Sequence, residues 1–146
     1  MVKPSLALTR LAAACLVLFL GACGQTNKDA IGWMASGALA GTTDVPANGA
    51  VQARALPDGT FLVTVQLNIP QAEEGSSYVV ELHDAKGRVQ RAGVLQAPAA
   101  NVRHVGEFAV TRDIRALLDV SVARHSRSGD STVVATGTLR AVTPRL

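Results

Sequence analysis

Three histidines, His83, His104 and His125, are the only side chains of this sequence that offer imidazole nitrogen to a metal ion. Imidazole is a common ligand for copper and zinc, so a metal site is one chemistry to consider. The three residues stand far apart and lack the short, regular spacing that metal-binding motifs keep. We therefore expect histidines scattered over the surface or rim of the fold, with a copper or zinc site as the alternative.

Serines are the other candidates, because hydrolysis needs a nucleophile, an adjacent base and a third group that orients the base. The sequence has no Gly-x-Ser-x-Gly motif, which places the nucleophile on a sharp turn in many hydrolases. Turn formation already explains the serines of its polar stretches, which are Ser76, Ser77, Ser126, Ser128 and Ser131. We therefore predict no catalytic residue and keep an enzyme only as an alternative.

The N-terminal segment has the layout of an export signal. Lys3 and Arg10 are its only charged residues, and an unbroken apolar run follows from residue 11 to residue 20. A permanent membrane helix needs ~20 apolar residues, so a run half as long fits a signal peptide that is removed. We predict that residues 1–22 form a cleaved signal helix.

The cleavage point is indicated by the run Leu20, Gly21, Ala22 and Cys23. It resembles the lipobox of bacterial lipoproteins, in which a branched apolar residue and two small residues precede an obligatory cysteine. The resemblance implies cleavage between Ala22 and Cys23, addition of diacylglycerol to the Cys23 thiol, and acylation of the new amine, for example with palmitate. Several acyl chains hold a protein to a membrane more firmly than one chain does. An ordinary secretory signal with a chance cysteine is the alternative.

Removal of the signal peptide changes what the composition means. The 146 residues become 124, enough for one domain with its own core, and the net charge falls from +3 to +1 because Lys3 and Arg10 are lost. This balance, together with export, argues against a nucleic-acid binder, which needs a strongly basic face. With Cys15 removed and Cys23 lipidated, no thiol remains for a disulfide or a thiolate metal site. We expect no cofactor besides the covalent lipid.

The mature chain is predicted to consist of a tether, one domain and a short tail. Residues 23–31 contain the lipidated cysteine and a polar stretch with the composition of a flexible tether. Residues 32–142 are rich in Gly, Ala, Val and Thr, lack helical periodicity and show turn signals about every ten residues. This pattern predicts an all-β domain, an Ig-like antiparallel β-sandwich of two sheets and seven or eight strands. Residues 143–146 form the tail.

The clearest strand covers residues 61–69, where apolar and polar side chains alternate and give the strand one buried face. Pro57 and Gly59 predict the turn before it, which makes residues 51–56 its hairpin partner. Gly87 marks the turn of a second hairpin. The remaining predicted elements are strands at 33–39, 78–83, 88–95, 103–110, 118–124 and 132–140, and a single helical turn at 112–117.

Arginine is frequent in the second half of the chain, where acidic residues are interleaved with it. They include Arg88, Arg91, Arg103, Arg112, Arg115, Arg124, Arg127 and Arg140. A solvated mixed-charge surface, which keeps edge strands from pairing with other chains, is the interpretation that we favour. A basic surface facing anionic lipid or an acidic cell-wall polymer is the alternative. Trp33, the only tryptophan, is predicted to fill the core rather than to stack on a ligand.

Several segments of the predicted domain share a pattern of glycines and apolar residues. They read GSSYVVEL at 75–82, GVL at 93–95, GEFAV at 106–110, DVSVA at 119–123, GDS at 129–131 and TGTL at 136–139. Together they resemble the extracytoplasmic C-terminal domain of zinc-associated anti-sigma factors of the anti-sigma-K type. In that family a separate cytoplasmic helical domain with a His and Cys zinc motif binds sigma, and a transmembrane helix joins the two domains. We expect neither part here, so the resemblance implies a β-sandwich with a sensing or scaffolding role and no sigma binding.

A second set of segments lies nearer the N-terminus. It reads ALAGTTDVP at 38–46, GAV at 49–51 and PDG at 57–59. These segments resemble the opening of chordin-type (CHRD) domains, which are also β-domains. That family continues with a His-x-His pair, whereas this sequence has Leu82, His83 and Asp84. The departure puts a metal role of His83 in doubt and leaves the expected fold unchanged.

The sequence therefore predicts a lipid-anchored protein on the extracytoplasmic side of the cell membrane, with a non-catalytic binding, scaffolding or sensing domain. Gly24 rather than an aspartate follows the lipidated cysteine, which by the usual sorting rule favours the outer membrane if the cell has two membranes. The expected partners are the membrane, through the lipid, and an envelope protein or a cell-wall polymer. A periplasmic copper- or zinc-binding lipoprotein and an envelope enzyme are the alternative functions.

Overall fold

The computed structural model describes residues 28–97 and 102–143. Within these ranges the chain forms a 3-10 turn at Lys28–Ala30, nine β-strands and no α-helix, which confirms the predicted all-β class. The strands are β1 (Met34–Gly41), β2 (Asn48–Ala55), β3 (Phe61–Asn68), β4 (Ser77–His83), β5 (Val89–Val94), β6 (Arg103–Val110), β7 (Asp119–His125), β8 (Ser131–Thr138) and β9 (Arg140–Ala141).

Strand β3 illustrates how the alternating pattern becomes structure. Phe61, Val63, Val65 and Leu67 are fully buried, while the side chains between them point away from the core. Apolar β-branched and aromatic side chains pack well on one face of a pleated strand, so the alternation fixes which face meets the core. Strands β2 and β3 form the predicted hairpin, and Gly59 in its turn has a φ of +85°, a conformation that other residues rarely adopt.

All nine strands belong to one antiparallel sheet. The order is β5-β4-β7-β8-β1-β2-β3-β6, and β9 also pairs with β1. The two outermost strands meet where Gln96 and Val105 exchange backbone hydrogen bonds of 2.8 Å. The sheet is therefore nearly closed into a barrel-like sandwich around one core. The predicted antiparallel sandwich is confirmed, but its two halves are joined, because β1 pairs with β2 on one side and with β8 and β9 on the other.

Phe108 fills the seam between β5 and β6. Its pairing with buried Val63 places it on the core face of β6. A Cβ atom added to Gly93 would lie 2.4 Å from the Phe108 ring, and one added to Gly106 would lie 2.3 Å from it. Both glycines are therefore required for the ring to lie against the two strands at once.

The antiparallel order gives the domain a proximal and a distal end. The odd-numbered strands from β1 to β7 begin at the proximal end and the even-numbered strands end there. The proximal end comprises residues 28–33, the turns at 56–60 and 84–88, the segment 111–118 and residues 142–143. The distal end comprises residues 42–47, 69–76, 95–97 with 102, and 126–130. Both the first and the last described residues thus lie at the proximal end.

The described part of the predicted tether packs on the domain. Ala30 is 1% exposed and belongs to the core, and its carbonyl accepts the backbone N–H of Trp33 at 2.9 Å. Asp29 accepts a hydrogen bond of 2.9 Å from Arg115. The ordered domain therefore includes residues 28–31, which the composition of the 23–31 segment assigned to a flexible tether.

Two strand boundaries differ from the prediction for identifiable reasons. Strand β2 begins at Asn48 instead of residue 51, because its glycine- and alanine-rich start pairs on both sides, with β1 and with β3. The predicted last strand divides at Leu139, whose side chain is buried and whose N–H donates to the carbonyl of Leu118 at 2.7 Å. Leu139 therefore separates β8 from β9.

The predicted helical turn at 112–117 is a hydrogen-bonded turn without helix. The N–H of Leu117 donates to the carbonyl of Ile114 at 2.8 Å, and both side chains are buried. Asp113 accepts the backbone N–H of Arg115 at 3.0 Å. Such a side-chain bond to the backbone competes with helix formation and favours a turn.

Trp33 packs against the core as predicted. It is half-buried, and its ring meets the Phe61 ring edge to face, with centroids 5.7 Å apart. In β4 and β7 one pair on the outer face is also buried, since Val79 and Ala123 are almost inaccessible although they point away from the core. A simple alternating pattern does not predict that buried outer pair.

Candidate functional site

The predicted lipidation and cleavage residues, Cys23 and Ala22, lie outside the described residues. They therefore remain predictions from the sequence. No helix within residues 28–97 and 102–143 has the length and apolar character needed to cross a membrane.

A shallow groove of about 470 Å³ lies on the outer face of β4, β7 and β8, towards the proximal end. It is lined by His83, Asp119, Val120, Ser121, Val133, Thr136, Gly137 and Thr138. His83 Nε2 lies 2.7 Å from Ser121 Oγ, within hydrogen-bond distance, and Thr138 Oγ1 donates to Asp119 at 3.1 Å. The registers His83 to Asp119 and Asp119 to Thr138 explain why these side chains meet: directly paired residues of neighbouring strands share a face.

The contact between Ser121 and His83 has the residue types of a nucleophile and its base, but not their arrangement. The nearby carboxylate, Glu81, lies 3.9 Å from Nε2, the nitrogen that already meets the serine. A catalytic carboxylate binds the opposite ring nitrogen, Nδ1, to orient the base. Ser121 also lies inside β7, where the backbone N–H groups serve the pairs with β4 and β8, so no free pair forms an oxyanion hole. This pair therefore suits a polar contact rather than hydrolysis.

The sequence analysis predicts His104 on the surface or rim of the fold, and this prediction is wrong. The side chain is only 5% exposed and lies on the core side of β6. Its Nδ1 donates to the carbonyl of Val102 at 3.0 Å, and its ring meets Tyr78 edge to face at 5.1 Å. Tyr78 in turn donates from its hydroxyl to the carbonyl of Pro70 at 2.8 Å, and burial raises the pKa of that hydroxyl. The expectation failed because His104 takes an inward position of the alternating strand, opposite Leu67.

His125 lies at the distal end of β7, partly exposed, 3.3 Å from the hydroxyl of Ser131. His83 pairs with Asp119 at the other end of the same strand, six residues away, which at the strand rise of about 3.3 Å per residue is roughly 20 Å. His104 points into the core from β6, whereas His83 lies in the groove on the outer face. The structure therefore does not bring the three histidines together, and no group of three potential metal ligands occurs among the described residues.

A second groove, of about 340 Å³, lies on the outer face of β2, β3 and β6. It is lined by Gly49, Ala50, Gln66, Asn68 and Arg103, and the Arg103 guanidinium donates to the Gln66 side chain. The Asn68 amide donates to Asn48 at 3.1 Å. Its mixed lining and its position on the surface of the sheet suit contacts with another surface.

Arg115 links the N-terminal turn to the 111–118 segment. Its guanidinium lies 2.6 Å from one carboxylate oxygen of Asp113 and 2.9 Å from one of Asp29. The hydrogen bonds from Arg115 lower the pKa of Asp113, and those to Asp113 and then Asp29 raise the pKa of Arg115. The resulting ion pairs fasten residues 28–30 to the proximal end.

Three arginines of the second half have partners on the surface of the domain. Arg88 pairs with Asp84 at 2.5 Å, Arg115 pairs with Asp113, and Arg103 binds Gln66 in the second groove. The local pairing agrees with the interpretation as a mixed-charge surface.

Ser77 and Ser131 begin strands β4 and β8 rather than lying in loops.

Ser121 was missed by the sequence analysis, which considered only the serines of polar stretches. Its contact with His83 joins residues 38 positions apart, so no local spacing reveals it. The available signal was its place in β7, where it alternates with Val120 and Val122 and so faces outward. Combined with the strand pairing, that position predicts a neighbour on β4.

No known protein family, no curated protein and no solved structure matches this chain.

Proposed function

We propose that this protein is a lipoprotein of the cell envelope, anchored through Cys23, whose β-domain binds, scaffolds or senses an envelope component without catalysis. The observation that carries the proposal is the position of the N-terminal turn. Ala30 is part of the core at the proximal end, and only six residues separate it from Cys23 in the sequence. A lipid on Cys23 therefore holds the domain close to the membrane.

The outer-face grooves favour a binding role. Both open on strands of a nearly closed sheet whose interior is filled by apolar side chains. Small-molecule and catalytic sites are mostly concave and enclosed, whereas shallow surfaces of mixed polarity suit contact with another macromolecule. The placement of Glu81 beside the same nitrogen of His83 that meets Ser121 supports a non-catalytic role for the first groove.

The resemblance to the extracytoplasmic domain of anti-sigma factors supports a sensing or scaffolding role, and the lipobox supports the anchor. Gly24 after the lipidated cysteine supports the outer membrane where a cell has two. Sigma binding is not part of the proposal, because in that family it belongs to a separate helical domain.

Membrane fractionation of the full chain in a bacterial host tests the anchor. The matched variants are Cys23→Ser, which removes the proposed lipid site, and Cys15→Ser, which changes the other cysteine of the signal segment. We expect the wild type and Cys15→Ser to sediment with membranes and to resist extraction by high salt, whereas Cys23→Ser does not mature. A wild type that is recovered from the aqueous fraction, or a Cys23→Ser variant that is cut to the same mature mass as the wild type, contradicts the proposal.

A further inference from the structure

The proximal end exposes most of the large apolar side chains found on the surface. Eight such side chains are exposed among the described residues; three of them lie in the segments of this end, and two, Met34 and Val89, are the first residues of strands that begin there. These five residues, termed the apolar rim, are Ile31, Met34, Val89, Leu118 and Val142, with exposed fractions from 36% to 61%. A concentration of this kind marks a surface that meets an apolar environment.

Backbone hydrogen bonds show that three residues of the apolar rim lie near one another. The N–H of Val142 donates to the carbonyl of Met34 at 2.8 Å, which places the two residues opposite each other. Both point outward, since the neighbouring Ala35 is buried. The carbonyl of Leu118 accepts the N–H of Leu139, just before the final strand, so Leu118 lies beside the same chain terminus.

Cationic side chains surround the apolar rim. Arg54 pairs with Met34 across β1 and β2, Arg140 belongs to β9, and Arg112 lies in the 111–118 segment. None of the three makes an ion pair with a described residue. At this end Asp29, Asp84 and Asp113 are instead paired with Arg88 or Arg115. Asp58 and Asp119 bond to threonines and make no ion pair with a described residue. The charge left available at the proximal end is therefore mainly positive.

The sequence limits how far this end can lie from the proposed lipid. Four residues separate Cys23 from Lys28, the first described residue. A fully extended chain spans at most 3.3–3.6 Å per residue, so the distance from Cys23 to Lys28 is at most about 18 Å. A lipid on Cys23 thus keeps the proximal end near the membrane surface.

We infer that the apolar rim rests on the lipid interface of the membrane in which Cys23 is anchored. The domain then stands on its proximal end, and its distal end and distal loops point away from the bilayer. Apolar side chains flanked by arginines suit an interface with acyl chains below and anionic headgroups around them. A second copy is the poorer occupant, because a two-fold symmetric contact would bring the same arginines towards each other. This inference rests on the proposed lipid anchor.

Site-specific fluorescence on vesicles tests the orientation. The mature protein has no other thiol once Cys23 is lipidated, so Lys86→Cys in the proximal 84–88 turn and Asp44→Cys in the distal 42–47 loop each give one labelling site. The lipidated proteins are reconstituted into phosphatidylglycerol and phosphatidylethanolamine vesicles that contain lipids with a spin-labelled headgroup. We expect several-fold stronger quenching at position 86 than at position 44. Equal quenching on vesicle-bound protein overturns the inference.

Flotation of the same vesicles separates the two proposals. Protein that does not float with the vesicles contradicts the lipid anchor itself. Protein that floats but shows equal quenching at both positions contradicts only the orientation.

A matched pair of triple variants tests the residues. The rim variant carries Ile31→Ser, Met34→Ser and Val142→Ser, and the control carries Val102→Ser, Val105→Ser and Val133→Ser, which replaces the exposed apolar residues found elsewhere. We expect the rim variant to float but to be quenched at position 86 at least twofold less than the wild type, while the control is quenched as the wild type is. If the rim variant is quenched as strongly as the wild type, or if it only dissociates a dimer seen by cross-linking on vesicles, the lipid contact is refuted.

Discussion

The proximal and distal ends of the barrel are built from the same strands but are completed in different ways. At the distal end the polar side chains close their own loops: Ser128 bonds to Ser126 and Asp130 at 2.7 Å, and Tyr78 bonds to the carbonyl of Pro70. Val102 is the one large apolar side chain exposed in its described residues. The proximal end has ion pairs around Arg115 and also the five residues of the apolar rim.

This difference shows which side chains of the two ends are needed for folding and which are not. Both ends are closed by one core, so the exposed apolar side chains of the proximal end are not needed to complete the sheet. Exposed apolar surface has no stabilising role within the domain, and contiguous patches of it are typical of contact surfaces. The end from which the chain leads back to Cys23 is also the end with that surface.

The largest expected effect tests whether one core serves both ends. Phe61 begins β3 at the proximal end and Leu67 lies near its distal end, and both are fully buried. We expect Phe61→Ala to lower the free energy of unfolding by about 3–5 kcal/mol and Leu67→Ala by about 2–5 kcal/mol, since each leaves a cavity. Urea denaturation followed by circular dichroism measures both. A second transition in either variant, or a loss below ~1 kcal/mol, breaks the picture of a shared core.

The next effect concerns the seam that runs between the two ends. Gly106→Ala places a Cβ atom 2.3 Å from the Phe108 ring and should destabilise the fold by about 1–3 kcal/mol, the usual range for overpacking. The destabilisation comes from the contact with the Phe108 ring, so Gly106→Ala in a Phe108→Ala background should lower the free energy of unfolding by less. Thermal denaturation of the four proteins of this cycle gives the coupling between the two sites. Additive losses would show that Phe108 does not fill the seam.

A smaller effect is expected in the groove near the proximal end. Ser121→Ala removes the contact with His83 Nε2, and a hydrogen bond of this kind contributes about 0.5–1.5 kcal/mol net. We expect Ser121→Ala to lower the free energy of unfolding within that range and to leave binding to membranes unchanged.

Nucleophile-directed fluorophosphonate probes should not label Ser121 in the wild type. Labelling that disappears in Ser121→Ala would revive the hydrolase alternative.

The smallest effect is visible only in acid. Arg115 lowers the pKa of Asp113, so the ionised pair is fully formed above the ordinary carboxyl pKa and its contribution is lost as the pH falls through the lowered value. We expect the melting temperature of the wild type to fall faster than that of Asp113→Asn when the pH is lowered below about 4. Parallel melting curves for the two proteins from neutral pH into acid would contradict a stabilising role of this pair.

The strands could be predicted from the sequence wherever one face is apolar and the other polar. Residues 61–69 show this well, because alternation is a local property and the pleat converts it directly into an inward and an outward face. The turns with Gly59, Gly87 and Gly129 were equally accessible, since each glycine adopts a positive φ. These features depend on neighbours only a few residues away.

The contacts between distant residues depend on which strands become neighbours, and no local pattern in the sequence reveals that. The pairing of β4 with β7 brings His83 to Ser121, and the pairing of β3 with β6 turns His104 into the core. The split at Leu139 follows from its bond to Leu118, 21 residues earlier. Ala30 gave no apolar pattern of its own, so its place in the core could not be foreseen.

The lipid at Cys23 is the central proposal, and the intact mass of the protein extracted from membranes with detergent tests it directly. We predict the mass of residues 23–146 increased by the acyl groups of a lipoprotein, and the same protein after mild alkaline treatment should lose its ester-linked chains. The mass of an unmodified chain, whether it begins at Met1 or after a signal-peptide cut, would contradict the account.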